Sequence, residues 1–385
     1  MNKKEVLEIR KQFTPENCTI TRICGCYVDG DKNKKTELKE AFLSLPEEEI
    51  FKYFELLRKT LSGSLGKNLL NLDFPLASEQ EGGTQAALLA LRDSKLKDDA
   101  LIEEFYDRVI NTYEYVGNYL ILLIHDAYDV PGKTTDGLTM DDASDTVFEY
   151  IMCCICPVNL SKPGLSYDSI NNEFHNRIRD WVVEMPETGF LFPSFNDRAT
   201  DIHSTLFYSK NPEEAHSEFV ENILGCTMPL SAGTQKEAFQ ALIEETLGDE
   251  VEYEVVKNIH ENLTEMIEEH KEIPEPLTLD KHQVKSLFEK SGVKEEKLTD
   301  FDKLYDAAAG EDTSLFVNNV ANVRTFEVKT PDVVVKVNPE RADLVNTLQI
   351  DGKRCLVIEI NDHVEVNGIT IHQGVSLEDV ADEEE

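Results

Sequence analysis

The stretch VFEYIMCCICPVNLS, residues 147–161, is a run of apolar and aromatic residues with weak helical periodicity. Similar segments are NYLILLIHDAYDVPG (118–132), DWVVEMPETGFLFPSF (180–195) and DIHSTLFYSK (201–210). Gly, Pro and Asp lie between the four segments, which is typical of successive β-strands joined by turns. The sequence therefore predicts a mainly antiparallel central sheet over residues 118–210.

Helical patterns lie on both sides of these segments. In residues 36–63, Ile50 and Phe54 recur at helical spacing, and Pro46 marks the point where the helix restarts. Residues 18–28, CTITRICGCYV, alternate as one early strand. We therefore predict an α+β fold: a helical N-terminal region, a central mainly antiparallel sheet with flanking helices, and a smaller α+β C-terminal domain.

The best linker candidate is EIPEPL, residues 272–277, because its two prolines resist both helix and sheet. Further on, Asp351-Gly352 between apolar runs predicts a β-hairpin. The predicted parts are a mainly helical N-terminal region with one early strand (1–117), a central β-rich sheet with acidic helices (118–271), C-terminal helices with a small β unit (278–375), and a disordered acidic tail (376–385).

The charge balance limits the class of partner. Of 385 residues, 75 are acidic and 38 are basic, which gives a formal net charge of −37. Nucleic acids and anionic membranes attract basic surfaces, so a chain of this charge repels both. We expect a protein partner, with no direct contact to nucleic acid or membrane.

Several features predict a cytoplasmic protein. The first residues, MNKKEVLEIRKQF, form a charged helix pattern and have no apolar core typical of a signal peptide. The longest apolar run, YLILLI at 119–124, is far shorter than the roughly 20 residues that span a bilayer. Eight cysteines in a chain of this length, without an export signal, indicate reduced thiols.

Two closely spaced groups of cysteines raise the question of a metal site. On strands, Cys24 and Cys26 share one face, as do Cys154 and Cys156, so adjacent strands can form a four-thiolate site. However, the Cys-x2-Cys spacing usual for zinc is missing, and free cysteine is among the most buried residue types. The sequence favours packing in the core and leaves the metal site as the alternative.

Two polar groups at strand ends are the candidate catalytic site. These residues are His125, Asp126 and Asp129 from IHDAYD, and Asn196, Asp197, Arg198 and His203 from FNDRATDIH. If the sheet brings them together, the carboxylates can bind a divalent ion or act as a general base, and the guanidinium can hold an anionic substrate. The alternative is structural, because such turns and ion pairs often only fasten loops.

Aromatic residues lie beside the second polar group. Trp181, Phe190, Phe192 and Phe195 follow one another along one predicted apolar strand. Large aromatic side chains contribute much of the buried area of a protein core. We expect these four side chains to pack in the core rather than to bind a ligand.

Five stretches resemble one known family. They are MNKKEVLEIRKQF (1–13), LSGSLGKNLLNLDF (61–74), CCICPVNLSKPGL (153–165), GFLFPSFNDRATDIHSTLFYSK (189–210) and KTPDVVVKVNPE (329–340). Together they are similar to the uncharacterised bacterial domain-of-unknown-function family 4317. The resemblance covers most of the chain and implies a bacterial cytosolic origin. It implies no catalytic residue.

Two hypotheses for the function follow. The first is a non-enzymatic binding or regulatory protein with a protein partner, which fits the acidity and the lack of a recognised catalytic or cofactor-binding motif. The second is a metal-assisted hydrolase that uses the HDAYD and FNDRATDIH segments. We expect no cofactor. A concave arrangement of the polar groups favours the hydrolase, whereas pairing of each group within its own loop favours the binding protein.

Overall fold

The computed structural model describes residues 1–133, 139–140, 146–248, 251–322, 324–360, 364–366 and 369–371. The chain divides into two compact units. The first unit comprises Met1–Lys236 and Glu272–Pro276, and the second comprises Glu237–Lys271 and Leu277–Glu385. The acidic tail predicted to be disordered, 376–385, lies outside the described residues.

The first unit combines helices with a large sheet. Its helices are α1 Lys3–Arg10, α2 Glu47–Thr60, α3 Thr84–Asp93, α4 Asp99–Thr112 and α5 Ser217–Phe219, and α6 Ala232–Leu247 begins there. Its strands are β1 Ile20–Val28, β2 Lys34–Ala41, β3 Leu69–Asp73, β4 Asn118–Val130, β5 Gly132–Lys133, β6 Thr139–Met140, β7 Thr146–Leu160, β8 Leu165–Asp168, β9 Glu173–Asn176, β10 Trp181–Val183, β11 Thr188–Phe192, β12 Ser194–Asn196, β13 Ala199–Asp201 and β14 Ser204–Ser209.

Within the described residues, eight strands form the central sheet. The order is β2-β1-β4-β7-β11-β14-β3, and β10 pairs with the end of β7. Every pairing is antiparallel. The α+β class and the central antiparallel sheet are therefore confirmed. Three of its strands, β1 to β3, come from the N-terminal third of the chain.

The long pairing of β4 with β7 explains the continuous apolar runs. It extends from Asn118 opposite Val158 to Val130 opposite Thr146. Helices cover both faces of the sheet, so side chains that point in either direction are buried. One face packs on α3 and α4, and the other packs on α1 and α2. A strand buried on both faces loses the alternation of polar and apolar residues that marks a strand with one face in water.

Residues 36–41 differ from the prediction, because they belong to the edge strand β2 rather than to a helix. Pairing with β1 supplies the backbone hydrogen bonds of this strand. Lys34 and Lys39 also form ion pairs with acidic residues of α4, at 2.6 Å to Glu103 and 3.1 Å to Asp99. These tertiary contacts override a local helical tendency. The charged side chains also suit a sheet edge, since they discourage pairing with other chains.

The second unit consists of short helices and β-hairpins. Its helices are α7 Tyr253–Glu269, α8 Lys281–Lys290, α9 Phe301–Ala308 and α10 Val317–Val320, together with the end of α6. Its strands are β15 Thr278–Leu279, β16 Leu315–Phe316, β17 Phe326–Lys329, β18 Val334–Val337, β19 Val345–Ile350, β20 Lys353–Ile358, β21 Val364–Val366 and β22 Ile369–Ile371.

The predicted hairpin at Asp351-Gly352 is confirmed, because these two residues join β19 to β20. Their φ angles are +52° and +74°, the left-handed values that a tight hairpin turn requires.

None of the helices in the described parts of the chain combines the length and apolar content that crossing a membrane requires.

Candidate functional site

The strand β4 places His125 and Asp126 on opposite faces of the sheet. Leu123, two residues before His125, belongs to the core against α3 and α4. Ile124, two residues before Asp126, belongs to the core against α1 and α2. Successive side chains of a strand point in opposite directions, so the two titratable groups are separated by the sheet itself.

His125 is completely buried, and one of its ring nitrogens is satisfied. The Thr21 hydroxyl of β1 lies 2.7 Å from Nδ1 and 3.2 Å from the His125 carbonyl oxygen. The other nitrogen, Nε2, is buried without a hydrogen-bond partner among the described residues. Burial lowers the pKa of His125 to about 4, against an opposing contribution from Glu149. The ring is therefore neutral at pH 7.

Asp126 is also completely buried, and its carboxylate is held within the sheet. The Tyr150 hydroxyl of β7 donates to Oδ2 at 2.7 Å, and the backbone N–H of Ala127 donates to Oδ1 at 2.7 Å. Burial raises the pKa of Asp126, and these hydrogen bonds oppose the shift. In contrast, Asp129 lies farther along β4 and is exposed.

The second predicted group forms a tight turn between β12 and β13. Asp197 and Arg198 both have positive φ values, +51° and +56°. The Asn196 amide donates to the Asp201 carboxylate at 2.6 Å, and the Ser204 hydroxyl donates to the same oxygen, Oδ2, at 2.8 Å. The polar groups of this turn thus bind one another, which is how Asn and Asp side chains commonly stabilise turns.

Arg198 points toward α1 and forms an ion pair with Glu8. Its Nε and Nη2 atoms donate to the Glu8 carboxylate at 2.9 to 3.2 Å, and Nη2 also donates to the Pro131 carbonyl oxygen at 3.0 Å. The Tyr128 hydroxyl donates to the same carboxylate at 3.0 Å. This network fastens the turn to α1 and to β4, and it occupies the Nε and Nη2 donors of Arg198.

His203 lies apart from this network, on the surface. Its Nδ1 is 2.7 Å from a carboxylate oxygen of Glu79, and the side chain is largely exposed. The hydrogen bond with Glu79 raises the pKa of His203. Of the seven predicted residues, the structure brings Asn196, Asp197 and Arg198 into one turn and leaves His125, Asp126, Asp129 and His203 in four different surroundings.

The two cysteine pairs also lie on opposite faces of the sheet. Cys24 and Cys26 are in the core against α3 and α4, whereas Cys154 and Cys156 are in the core against α1 and α2. Their strands, β1 and β7, are separated by β4. All four thiols are fully buried, and the Thr60 hydroxyl donates to Cys154 Sγ at 3.1 Å. The geometry that would join the two pairs at one ion is not present.

Within the described ranges, no group of three or more His, Cys, Asp and Glu side chains is placed to hold a metal ion. Two open clefts in these ranges are lined by other residues. A cleft of about 490 Å³ in the first unit is lined by residues between Pro212 and Ser231. A cleft of about 460 Å³ in the second unit lies between α7 and residues 339–343. Neither contains a predicted site residue.

The described surface also has a feature that the sequence did not predict, a hairpin arm of residues 159–185. Val158 is the last residue of β7 that pairs with β4, and β7 continues beyond it. In this extension, Leu160 pairs with Trp181 of β10. Farther out, the Ser161 N–H donates to the Asp180 carbonyl oxygen at 2.8 Å. The two strands of the arm remain paired toward the tip, where β8 pairs with β9. At about 3.3 Å per residue, the arm is roughly 30 Å long.

The hairpin arm exposes large apolar side chains. Ile170 at its tip is 90% exposed, Phe174 is 71% exposed, and the single tryptophan of the chain, Trp181, is 56% exposed. Leu165, Tyr167 and Ile178 are also exposed. The expectation that Trp181 lies in the core is therefore wrong, although Phe190, Phe192 and Phe195 are fully buried as predicted.

One sequence signal could have revealed the hairpin arm. Leu165 and Tyr167 alternate with Ser166 and Asp168, and Asn171-Asn172 follows as a turn before the next segment. This is the pattern of a β-hairpin. From the sequence alone, its apolar residues look like those of a core strand. Only the structure shows that they are left uncovered.

The comparisons with known proteins agree with the sequence resemblance. A family model described as a domain of unknown function (DUF4317) matches residues 1–369, which is most of the chain. A search of curated proteins gave no match. The chain therefore belongs to the domain-of-unknown-function family DUF4317.

Proposed function

We propose that this chain is a non-enzymatic binding protein and that the hairpin arm, residues 159–185, is the element that docks a protein partner. The observation that carries the proposal is the exposed apolar surface of the arm, from Leu160 at its base to Ile170 at its tip. Large exposed apolar patches on a folded protein mark interaction sites far more often than single exposed residues do.

The construction of the hairpin arm supports docking. A two-stranded hairpin alone is only marginally stable in water, whereas one that packs its apolar face against another surface is stable. Here the cross-strand pair Tyr167–Phe174 has ring centroids 5.4 Å apart, so the rings already form part of an ordered apolar surface. A partner that covers this surface removes apolar area from water and stabilises the arm at the same time.

The charge of the hairpin arm also supports a protein partner. Between residues 161 and 185 there are three basic and four acidic side chains, so the arm is nearly neutral. The chain as a whole has a net charge of −37. Interface centres are typically enriched in aromatic residues, and the arm exposes Tyr167, Phe174 and Trp181 in a segment whose charges nearly balance.

The predicted polar site supplies no comparable support for a hydrolase. Arg198 is engaged by Glu8 and Pro131, and Asn196 is engaged by Asp201. His125 and Asp126 are buried on opposite faces of the sheet. Because His125 and Asp126 point to opposite faces, the predicted groups do not all meet in one concave arrangement. By the criterion stated above this favours the binding protein, and we do not propose a hydrolase.

Site-specific photo-crosslinking tests the docking role of the hairpin arm. A photoreactive phenylalanine derivative replaces Phe174 in the full chain, and in a matched control it replaces Leu76, an 81% exposed side chain outside the arm. We expect position 174 to give one discrete adduct in cells and position 76 to give none. A second substitution in the arm, Ile178→Glu, should abolish the adduct without changing the thermal midpoint.

The result that would overturn the proposal is equally direct. If position 174 gives no adduct, or if positions 174 and 76 give the same adducts, the arm is not a docking element. An adduct that persists in the Ile178→Glu variant also counts against the proposal, because the charge should prevent apolar docking.

A further inference from the structure

We infer that the partner of the hairpin arm is the arm of a second copy of this chain, so that two copies form a two-fold symmetric dimer through residues 159–185. The inference rests on the docking role proposed above and names the occupant. It is carried by the shape, the free edge, the area and the charge of the arm.

The apolar surface of the hairpin arm is suited to pairing with itself. Leu165, Tyr167 and Phe174 lie on one face of the tip hairpin, because Tyr167 is directly opposite Phe174 and Leu165 is two residues before Tyr167. A two-fold dimer requires a surface patch that is complementary to its own copy. An apolar face without a dominant charge meets this requirement, since it presents the same chemistry to both partners.

The backbone of the hairpin arm offers a second way to associate. Beyond Val158, β7 has left its neighbour β4 and pairs only with β10 on the other side. A strand edge of this kind can pair with a strand of another chain. Two arms together would form a four-stranded apolar layer, which reaches the number of strands that a sheet needs for independent stability.

The exposed area of the hairpin arm matches that of a stable dimer. Aromatic side chains have about 150 to 250 Å² of surface each, and Leu and Ile lie near the lower end of this range. Six side chains of the arm are between 55% and 90% exposed, namely Leu165, Tyr167, Ile170, Phe174, Ile178 and Trp181. Together they expose on the order of 800 Å², an upper limit on the apolar area that the arm buries and about the area that each partner buries in a standard protein interface.

The distribution of charge allows two copies to meet at the arm. Two bodies with this net charge repel each other, and the repulsion is weakest where the local charge is lowest. The arm carries a net charge of only about −1, and its length of roughly 30 Å keeps the contact away from the sheet and helices of the first unit. Arm-to-arm contact therefore gains apolar contact at a point where the charge repulsion is low.

Sedimentation of the purified full chain tests the inference. We expect a mass of twice 43.7 kDa at micromolar concentration. Phe174→Glu should weaken the dimer at least 30-fold (about 2 kcal/mol, the loss typical of a central interface residue), whereas the control Leu76→Glu should have no effect. A shortened arm, in which Asn-Gly replaces residues 162–179, should be monomeric. The hydrogen bond between Ser161 and Asp180 provides the register for this tight turn.

Salt dependence and tryptophan fluorescence distinguish a second copy from a different protein. Added salt should strengthen the dimer, because it screens the repulsion between two acidic chains, whereas it should weaken binding to a basic protein. Trp181 is the only tryptophan, so its emission should shift to the blue on dimerisation and to the red on dilution. The Leu76→Glu control should show the same shifts.

The outcomes separate this inference from the proposed function. A wild-type chain that sediments at 43.7 kDa at all concentrations overturns the inference. If the photo-crosslinked adduct at position 174 then has a mass other than twice that of the chain, the docking role stands and the occupant is a different protein. A dimer that survives both Phe174→Glu and the shortened arm also overturns the inference, because its interface lies elsewhere.

Discussion

The His125 ring nitrogen Nδ1 lies 2.7 Å from the Thr21 hydroxyl across the boundary between β4 and β1, with the imidazole fully buried. The next residue, Asp126, receives a hydrogen bond from Tyr150 on the other face of the sheet. Burial lowers the pKa of the histidine and raises the pKa of the aspartate. In both cases the fold favours the neutral form, which is the usual effect of desolvation on a buried titratable group.

His125 should make the first unit less stable in acid. Its pKa of about 4 in the fold lies below the ordinary value of 6.5, so its contribution is complete above pH 6.5 and is lost as the pH falls toward 4. At about pH 4.5 the loss amounts to about 2 to 3 kcal/mol relative to neutral pH. Urea unfolding gives the free energy of unfolding of the wild type and of His125→Leu at pH 7 and at about pH 4.5. The wild type should lose more of this free energy in acid than His125→Leu does.

His203 provides the control of opposite sign. Glu79 raises the pKa of His203, so the protonated ring stabilises the wild type in acid. His203→Ala should therefore be less stable than the wild type in acid. His125→Leu should be more stable than the wild type relative to their difference at neutral pH. Parallel pH profiles for the wild type and His125→Leu would show that the imidazole is not desolvated in the fold.

The ion pair of Glu8 with Arg198 should contribute measurably to stability. It is bidentate, and both side chains are largely buried. We expect a double-mutant cycle of Glu8→Ala and Arg198→Ala to give a coupling energy of about 1 kcal/mol, or about 2 to 4 °C in thermal midpoint. The exposed pair Arg341–Asp343 in the second unit is the comparison, and its coupling should be near zero. Equal coupling in the two pairs would contradict this reasoning.

The thiols should fall into two classes of reactivity. Six cysteines are buried (Cys24, Cys26, Cys153, Cys154, Cys156 and Cys226), and burial raises the pKa of Cys154 and Cys226 to about 12. We expect these six to resist alkylation in the native protein and to react on unfolding, because the thiolate is the reactive form. Cys18 and Cys355 are partly exposed, so one or both should be labelled first.

Mass spectrometry of the labelled peptides identifies the modified cysteines. Rapid native labelling of Cys154 or Cys156 would contradict their packing in the core. Protection that disappears on addition of a chelator would instead indicate that these thiols bind a metal ion. Labelling of the same two residues only in urea supports packing in the core.

Gly189 should not tolerate a side chain. A Cβ atom at this position would lie 2.3 Å from the carbonyl oxygen of Cys153 and 2.8 Å from the Thr60 methyl group, where α2 packs closely on the sheet. Gly189→Ala should therefore destabilise the chain by at least about 2 kcal/mol in urea unfolding. Gly164→Ala in the hairpin arm meets no atom within 4 Å and should be neutral. A neutral Gly189→Ala would mean that the backbone of β7 and the helix α2 are both farther from Gly189 than the structure places them.

The fold class and the sheet were predictable because local patterns report them directly. The apolar runs that became β4, β7, β11 and β14 were identified, and the Asp351-Gly352 turn was located. Residues 34–41 were not, because the pairing and ion pairs that make them a strand come from residues far away in the chain. The strand β3 was missed for a similar reason, since the backbone hydrogen bonds that make its five residues a strand come from β14.

The candidate site shows the same division. The sequence located the polar residues at strand ends, and the structure indeed places Asn196, Asp197 and Arg198 in a turn. It could not show that His125 and Asp126 are buried, nor that Arg198 pairs with Glu8, 190 residues away in the chain. The hairpin arm was missed because an exposed apolar strand and a core strand have the same composition.

The sequence by itself determined the α+β class, the antiparallel centre, the acidic charge and the family, because each depends on composition, periodicity or short motifs. Only the tertiary structure decided which face each side chain occupies, which polar groups are already paired and which apolar residues remain exposed. The physical reason is that burial and hydrogen bonding depend on what covers a residue, and the covering elements come from distant parts of the chain.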